Sequence, residues 1–424
     1  MASRAGIAGA GIAGEGSAPP RGPVGQQRCL PSGLWRLRWE WRRTAALLVL
    51  AALVLTGCWD RVEINDRAIV LGMAVDRDEG GRFRVTLSVA DPARFPRPGQ
   101  QGSSQVGQKP VIYIQGSGRT LADALSLIQE VEPRRLYYSH LKALLIGEEA
   151  ASRGIGPVLD FLMRDAQPRL ELMVAVTPGE AGPKFLQATP PLESLPADAL
   201  RELIRLRLGI MVPLHRLVRA LYEPGQEPVL PRVELAPATN DGMPVKGWLI
   251  DGVGVFKGDR LVGWLDNATT RGLMWLRGEI QRGTITVSLP GGSVSLRLLH
   301  ARTQLQPVVD GDRVVMLVQV ATEDDLVDNP AGLEVSSPAA IRRIEELAAR
   351  EIVRRAEEAR IALQDRLRTD AAGFGAILRR RNPAAWARLG PRWEEVFPRV
   401  EVRYRVQVNV RRPGLTTGAP ARSR

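Results

Sequence analysis

Apolar and polar positions fall into blocks along this chain, and the first block is the simplest. Twelve apolar or small residues, Thr44–Leu55, follow a basic run holding Arg36, Arg38, Arg42 and Arg43. A helix needs about 20 such residues to span a bilayer. The apolar core of a secretory signal needs only about 7–15 behind a positive segment, and this run fits that description. From Arg67 onward the pattern turns to strands. Ala68–Asp76 is apolar and β-branched, Asp78-Glu79-Gly80-Gly81 supplies a turn, and Arg82–Ala90 alternates with a period of two, which predicts a hairpin. Phe95–Pro110 reads as a Pro/Gly/Gln/Ser loop and Val111–Gly116 as a third strand. Thr120 stands where it can cap the helix Leu121–Val131, whose Leu121, Leu125 and Ile128 share one face.

Tyr137–Asp165 reads as a strand, a turn and a helix, and Leu170–Val176 as a further buried strand. The proline-rich Thr177–Pro196 reads as a connection between domains. Leu200–Tyr222 predicts two short helices interrupted at Pro213, Leu230–Leu235 a strand, and Trp248–Asp266 a tight hairpin folded on Gly258-Asp259. Asn267–Leu276 adds a short helix. Three strands follow, Thr284–Pro290, Val294–Val308 and Arg313–Val327, joined by glycine-containing turns. Pro338 opens a long helix with an apolar stripe of Ile341, Ile344, Leu347, Ile352, Ala356, Ala359 and Leu363, backed by a Glu/Arg lattice at i,i+4 spacing. Val400–Val410 alternates strictly and supplies the final strand.

These elements predict an α+β protein of three domains, each a mixed or antiparallel β-sheet flanked by helices, after a cleaved lipoprotein signal peptide. The expected boundaries are a disordered extension over 1–33, the signal over 34–57, an N-terminal α/β domain over 58–190, and a smaller middle domain over 191–282. A C-terminal sheet-plus-long-helix domain over 283–412 and a flexible tail over 413–424 complete the chain. Residues 1–33 are rich in Gly, Ala, Pro and Ser without periodicity. Translation is therefore expected to start nearer Val24, Leu30 or Leu34.

The signal reading sharpens at Leu55-Thr56-Gly57-Cys58. Small residues before a cysteine let the extended chain enter a peptidase, and the thiol can first take a diacylglyceryl thioether. Cleavage is expected between Gly57 and Cys58, in place of the plainer reading of Cys58 as a buried cysteine ending a core helix. Two acyl chains, at about 0.8 kcal/mol per buried CH₂, hold a protein to a membrane stably where one does not. Everything after Cys58 is then a body tethered outside the cytoplasm. Trp59 is placed to rest among headgroups. Asp60 and Glu63 have the spacing of a short capped helix leading away from the anchor.

Cysteine and charge add exclusions. Of the two cysteines, Cys29 lies in the removed segment and Cys58 carries lipid, so the mature body has no thiol, disulfide or cysteine metal site. The formal net charge is +12, but the first 57 residues contribute seven arginines against two acidic residues. The remaining excess is arginine-rich, fits a GC-rich genome better than a nucleic-acid surface, and can attract anionic headgroups or simply be solvated. His140, His215 and His300 are widely separated and each sits in a predicted element, His140 as a hydrogen-bonded strand histidine, so no zinc site is expected. Ser139-His140 lacks the third partner that a nucleophile and its base require. Gly252-Val253-Gly254 lacks the rest of a dinucleotide loop and reads as a turn or close packing. Glu323-Asp324-Asp325 is expected to be a solvated acidic turn more than a cation site. In Leu159–Asp165 the residues Leu159, Leu162 and Met163 read as core, while Arg164 and Asp165 could face another subunit.

Beginning at the segment LTGCWDRVEIND, the chain resembles the Ger(x)C family, the lipoprotein C subunits of spore germinant receptors. GRTLADAL (Gly118–Leu125) continues the match, and RRLYYSHLKALLIGEEAASRGIGPVLDFLMRD is its densest part. EPVLPRVEL, VFKGDRLVGWL, RGLMWLRGEI, PGGSVSLRL, HARTQLQP, RRRNPAAWARLGPRWEEVFP and the closing strand complete it. The resemblance covers nearly everything from Cys58 to Leu415; Phe95–Pro110 and the first 33 residues lie outside it. It makes Trp59, Asp60, Arg61, Glu63, Asn65 and Asp66 a membrane-proximal motif. It also implies a place on the extracytoplasmic face of the spore inner membrane beside membrane-spanning A and B subunits, with no catalytic residues, no cofactor beyond the diacylglycerol on Cys58, no nucleic acid and no direct small-molecule ligand. Two rivals remain: a lipid-anchored solute-binding protein, which needs two lobes around a cleft, and a cell-wall hydrolase, which needs a carboxylate pair, nucleophile or metal.

Overall fold

In the computed structural model of the protein, residues 41–49, 63–94, 110–236, 246–289, 291–332 and 337–412 are described. Residues 41–49 form a helix with exposed side chains, belonging to a unit separate from the body that begins at Glu63. The rest of the expected signal, with Gly57, Cys58, Trp59, Asp60 and Arg61, lies outside the described residues, as do the extension over 1–33 and the tail over 413–424. Among the described residues no helix is long and apolar enough to cross a membrane.

Strand β1 (Arg67–Arg77) is the centre of the first sheet. Nearly all of it is buried because helices cover both of its faces, which explains a continuous apolar run in place of alternation. It pairs antiparallel with β2 (Phe83–Ala90), and β2 with β3 (Val111–Gly118). Helix α1 (Leu121–Val131) begins where expected: the Thr120 hydroxyl accepts the Asp123 N–H at 3.1 Å, and the Asp123 carboxylate returns to the Arg119 N–H at 2.8 Å. Leu121, Leu125 and Ile128 are all buried. The chain then returns through β4 (Arg135–Tyr137) and β5 (Ala143–Gly147), both parallel to β1. Two short helices, α2 (Glu148–Arg153) and α3 (Gly156–Arg164), stand where one was expected, because Gly154 at φ 117° breaks the run. Strand β6 (Met173–Thr177) follows, parallel to β5.

The stretch expected to connect domains instead carries helix α4 (Ala181–Gln187), laid on the sheet. Its first N–H groups are taken by Asp76, a residue more than a hundred positions earlier, at 2.6 Å from Ala181 and 2.8 Å from Gly182. No local sequence signal marks such a cap. Phe185 reaches the sheet because position 72 is glycine; a Cβ there would lie 2.7 Å from its ring. Helices α5 (Pro196–Arg205) and α6 (Leu214–Tyr222) follow, then strands β7 (Val229–Leu235), β8 (Trp248–Lys257) and β9 (Arg260–Leu265), with the β8–β9 hairpin as expected.

The sheet order is β3-β2-β1-β5-β6-β7-β8-β9, with β4 beside the start of β1. Strands expected in the first and middle segments are thus hydrogen-bonded into one nine-stranded sheet, joined by the parallel pair Val176–Arg232. The expected class, sheets flanked by helices, is what the structure shows, and among the described residues the sheets number two.

Helix α7 (Asn267–Arg277) leads to the second sheet, β10 (Thr284–Leu289), β11 (Gly292–Asp310), β12 (Arg313–Asp328) and β13 (Glu401–Arg412), in that order. The first three are antiparallel, whereas β13 lies parallel to β12 after the crossover helix α8 (Pro338–Ile361). Ile344, Ile352, Ala356, Ala359 and Leu363 of the expected stripe are buried, while Ile341 and Leu347 lie at its margin. Helix α8 approaches α7 so closely that a Cβ at Gly272 would overlap the Arg355 carbonyl. A six-residue π-turn, Ala362–Leu367, ends it, and helices α9 (Phe374–Arg381), α10 (Pro383–Leu389) and α11 (Trp393–Val396) lead to β13. One hydrophobic cluster runs from Ala68 through both sheets to Val408.

Candidate functional site

The body starts at the turn Ile64–Asp66, closed by the Asp66 N–H on the Glu63 carbonyl at 3.1 Å. Glu63, Asn65 and Asp66 of the membrane-proximal motif are therefore in the turn that feeds β1. The first residues of β1 pair with β4, Arg67 beside Arg135 and Ile69 beside Tyr137. This register lays the Arg67 guanidinium over the Tyr137 ring, 4.3 Å from its centroid, with the His140 ring 5.8 Å away on the same tyrosine. The Ser139 side chain first, and then the charges of Arg67 and Arg169, hold the Tyr137 phenol below its ordinary pKa.

Two glutamines fix this motif to neighbouring elements. Gln129, near the end of α1, donates to the carbonyls of Glu132 and Arg134 at 2.8 and 2.9 Å and accepts the Leu136 N–H at 3.0 Å. Gln167 accepts the Tyr138 N–H at 3.0 Å, while its own N–H donates to Asp165 at 2.9 Å. The fold therefore brings the turn at 63–66, the segment 134–140 and the loop after α3 to one end of the sheet. Asp165 is built into that loop. Arg164 is exposed and paired with Asp160 on its own helix at 2.8 Å. Ile64 and Val131 add apolar surface at this end, 70% and 72% exposed. Tyr138 turns inward, edge-on to Phe161, and burial followed by the Asp165 charge drives its phenol far above the ordinary range.

Several sequence expectations need correction. Met163 is half-exposed, not core, because it falls on the outer side of α3 while Leu159 and Leu162 fill the inner. His140 lies in the exposed turn between β4 and β5, not in a strand. His215 opens α6, with Nδ1 3.2 Å from the Leu170 carbonyl, and His300 is exposed on β11. Glu323-Asp324-Asp325 belongs to β12, not a turn. Asp324 is wholly buried there, bonded to the Thr322 hydroxyl at 2.6 Å. Burial first, then the Asp325 charge, pushes its carboxyl up to about 6. Gly252 (φ 105°) sits where a side chain would strike the Leu265 carbonyl, so close packing is its role. Among the described residues no group of three His, Cys, Asp or Glu could hold a metal ion.

The two most elaborate polar sites escaped sequence reasoning altogether. Asp76 is described above. Asp370 is fully buried and accepts the N–H groups of Gly373, Phe374 and Gly375 and the Trp393 indole, at 2.8 to 3.0 Å. Both carboxylates accept backbone N–H groups at helix starts and hold those helices in place. A cavity of ≈ 390 Å³ opens between α6 and α9, with Arg216, Arg277 and Arg380 facing Glu223 and Glu279. Burial pushes Glu279 up, but Arg277 and Arg216 outweigh it and leave the carboxyl below its ordinary value. Glu223 pairs with Arg379. The carboxylates of this cleft are therefore already matched within the chain.

Comparison with known proteins agrees along the whole body. A family model described as "Spore germination protein N-terminal domain" matches residues 60–235. A second, "Spore germination B3/ GerAC like, C-terminal", matches residues 251–414. Among curated proteins of Bacillus subtilis (strain 168), the chain is 28% identical over 371 residues to putative spore germination protein YfkR, covering 87% of this chain and 96% of the relative. It is 25% identical over 392 residues to spore germination protein KC, covering 88% and 95%. The crystal structure of the GerBC protein superposes with a TM-score of 0.54 at 20% identity, over 80% of this chain and 97% of that one, a likeness of fold.

Proposed function

This chain belongs to the Ger(x)C family of spore germination proteins, and we propose that it acts as the lipid-anchored C subunit of a nutrient germinant receptor, a non-enzymatic scaffold beside the membrane-spanning A and B subunits. The observation that carries the reading is where the family match begins: residue 60, two positions after the cysteine of a lipoprotein-type signal. A diacylglycerol on Cys58 would confine the body to the outer face of the membrane and raise its effective concentration beside membrane partners. The end of the sheet that carries Arg67, Tyr137, His140 and the α3 loop follows the tether within a few residues, so it would lie nearest those partners. Binding energy there would bias a receptor between resting and signalling states.

The test is replacement of Cys58 with Ala in the native spore-former. The expected results are loss of the protein from the membrane fraction, loss of the lipid-modified N-terminal peptide in mass spectrometry, and slower nutrient-triggered germination through this receptor. Unchanged germination with the protein still in place would end the tether reading. Release of muropeptides by the purified protein would return the hydrolase reading, and tight calorimetric binding of amino acids or sugars the solute-binding one.

A further inference from the structure

The second sheet ends in an open strand. β13 is twelve residues long, contains no proline, and pairs on one side only, with β12. The Val410 N–H points away from β12, since it donates to the Glu345 carboxylate of α8 at 2.9 Å. By the two-residue repeat of a strand, the backbone groups of Val402, Tyr404, Val406 and Val408 point the same way. Among the described residues no other strand meets them. Edge strands of this length are ordinarily blunted by proline, bulges or a covering element; here the one register shift, between Val410 and Arg412, and the Glu345 cap both lie near the same end.

We infer that β13 pairs antiparallel with β13 of a second copy of this chain, about a two-fold axis through Val406. The edge geometry requires outward-pointing residues to face outward-pointing residues, so the axis must pass through a residue position. The exposed face of the strand then selects which one. An axis at Arg403 or Arg405 sets that arginine against itself. At Tyr404 it sets Arg403 against Arg405, at Gln407 Arg403 against Arg411, and at Val408 Arg405 against Arg411. Like charges directly opposite are destabilising. Only the axis at Val406 avoids every such clash from position 403 to 408: Arg405 then faces Gln407 and Arg403 faces Asn409, while Glu401 and Arg411, already paired within one copy with Arg313 and Glu323, come near each other. On the inner face the same register sets Val406 against Val406, Tyr404 against Val408 and Val402 against Val410, all apolar. These side chains are only partly buried in one copy except Val408, so there is surface left to cover. Pairs centred on the axis exchange two backbone hydrogen bonds each, and the two four-stranded sheets become one. Self-complementarity of one patch is what a two-fold dimer needs.

The test is sedimentation equilibrium of the full chain in detergent over a range of concentrations, with three variants. Val406→Pro removes an N–H that makes no bond within one copy, a position where edge strands accept proline. It should leave the unfolding midpoint near wild type and weaken self-association at least tenfold. Gln407→Glu, which sets a carboxylate opposite Arg405 of the other copy, should tighten association about threefold, and Gln407→Arg should weaken it by a similar factor. Amides of Tyr404, Val406 and Val408 should gain hydrogen-exchange protection as concentration rises, while those of Arg405 and Gln407, already bonded to β12, should not. A chain that stays monomeric throughout, or variants that associate like wild type, would overturn the inference. Protection of these amides only when a strand from a different protein is added would overturn it too.

Discussion

The indole N–H of Trp393 donates to the Asp370 carboxylate at 2.8 Å, and that carboxylate also accepts three consecutive backbone N–H groups, Gly373 to Gly375. One buried side chain thus holds the turn after the π-segment, the start of α9 and the start of α11. Replacing it with Asn would aim an amide N–H₂ at a nest of donors. Asp370→Asn is expected to cost about 3 kcal/mol or more, given about 1–3 kcal/mol for each stranded buried donor. A urea titration followed by tryptophan fluorescence checks it; an unchanged midpoint would refute the arrangement.

Acid should first strengthen this protein. Asp324 is raised to about 6, by burial above all. A carboxyl whose folded pKa lies above its unfolded value of about 3.9 contributes stability that is complete below that value and lost as pH rises through 6. Unfolding midpoints should therefore climb as pH falls from 7 to about 5. Below about 4.5 the ion-paired Glu323, Glu351 and Glu401, whose pKa values are lowered by their arginine partners, reverse the trend. Asp324→Asn, which keeps the shape without the charge, should raise stability at pH 7 by about 1–3 kcal/mol and flatten the slope between pH 5 and 7. A steeper slope in that variant would contradict the assignment.

Gly272 sets the distance between α7 and α8. Gly272→Ala must drive the helices apart, because the new methyl group would overlap the Arg355 carbonyl. The expected loss is about 1–3 kcal/mol, the ordinary range for overpacking, even though alanine is the better helix former. Thermal unfolding of the variant measures it; a stabilised protein would mean that the helices do not meet there.

Arg67 and Tyr137 should matter more to germination than to folding. Their stacking is half-buried and worth about 0.5–2 kcal/mol. Arg67→Ala and Tyr137→Ala are accordingly expected to fold normally by circular dichroism. On the proposed reading they would slow nutrient-triggered germination severalfold and reduce co-purification with membrane subunits. Wild-type germination in both would move the docking surface elsewhere.

Elements whose determinants are local were legible in the sequence. The Thr120 cap, the hairpin on Gly258-Asp259 and the α8 stripe all lie within a few residues of what specifies them. What escaped depends on partners distant in the chain. Asp76 caps a helix a hundred residues away, so Thr177–Pro196 looked like a mere connection. The alternation of Val400–Val410 announced a strand, but not that β12 would be its parallel neighbour. Nor could spacing reveal that the turn at 63–66, the tyrosines at 137 and 138 and Asp165 converge on one end of the sheet. That convergence exists only through the β1–β4 register and the two glutamine clamps. Glu323-Asp324-Asp325 misled for a related reason: charge suggested a turn, whereas the β12 ladder carried Asp324 into the interior.

The unbroken run of apolar contacts from Ala68 to Val408 also has a mechanical meaning. Among the described residues the two sheets cannot swing apart without opening that shared interior to water. A pull on the first sheet through Arg67 would therefore have to strip apolar contacts from that interior before the far strands could lag behind.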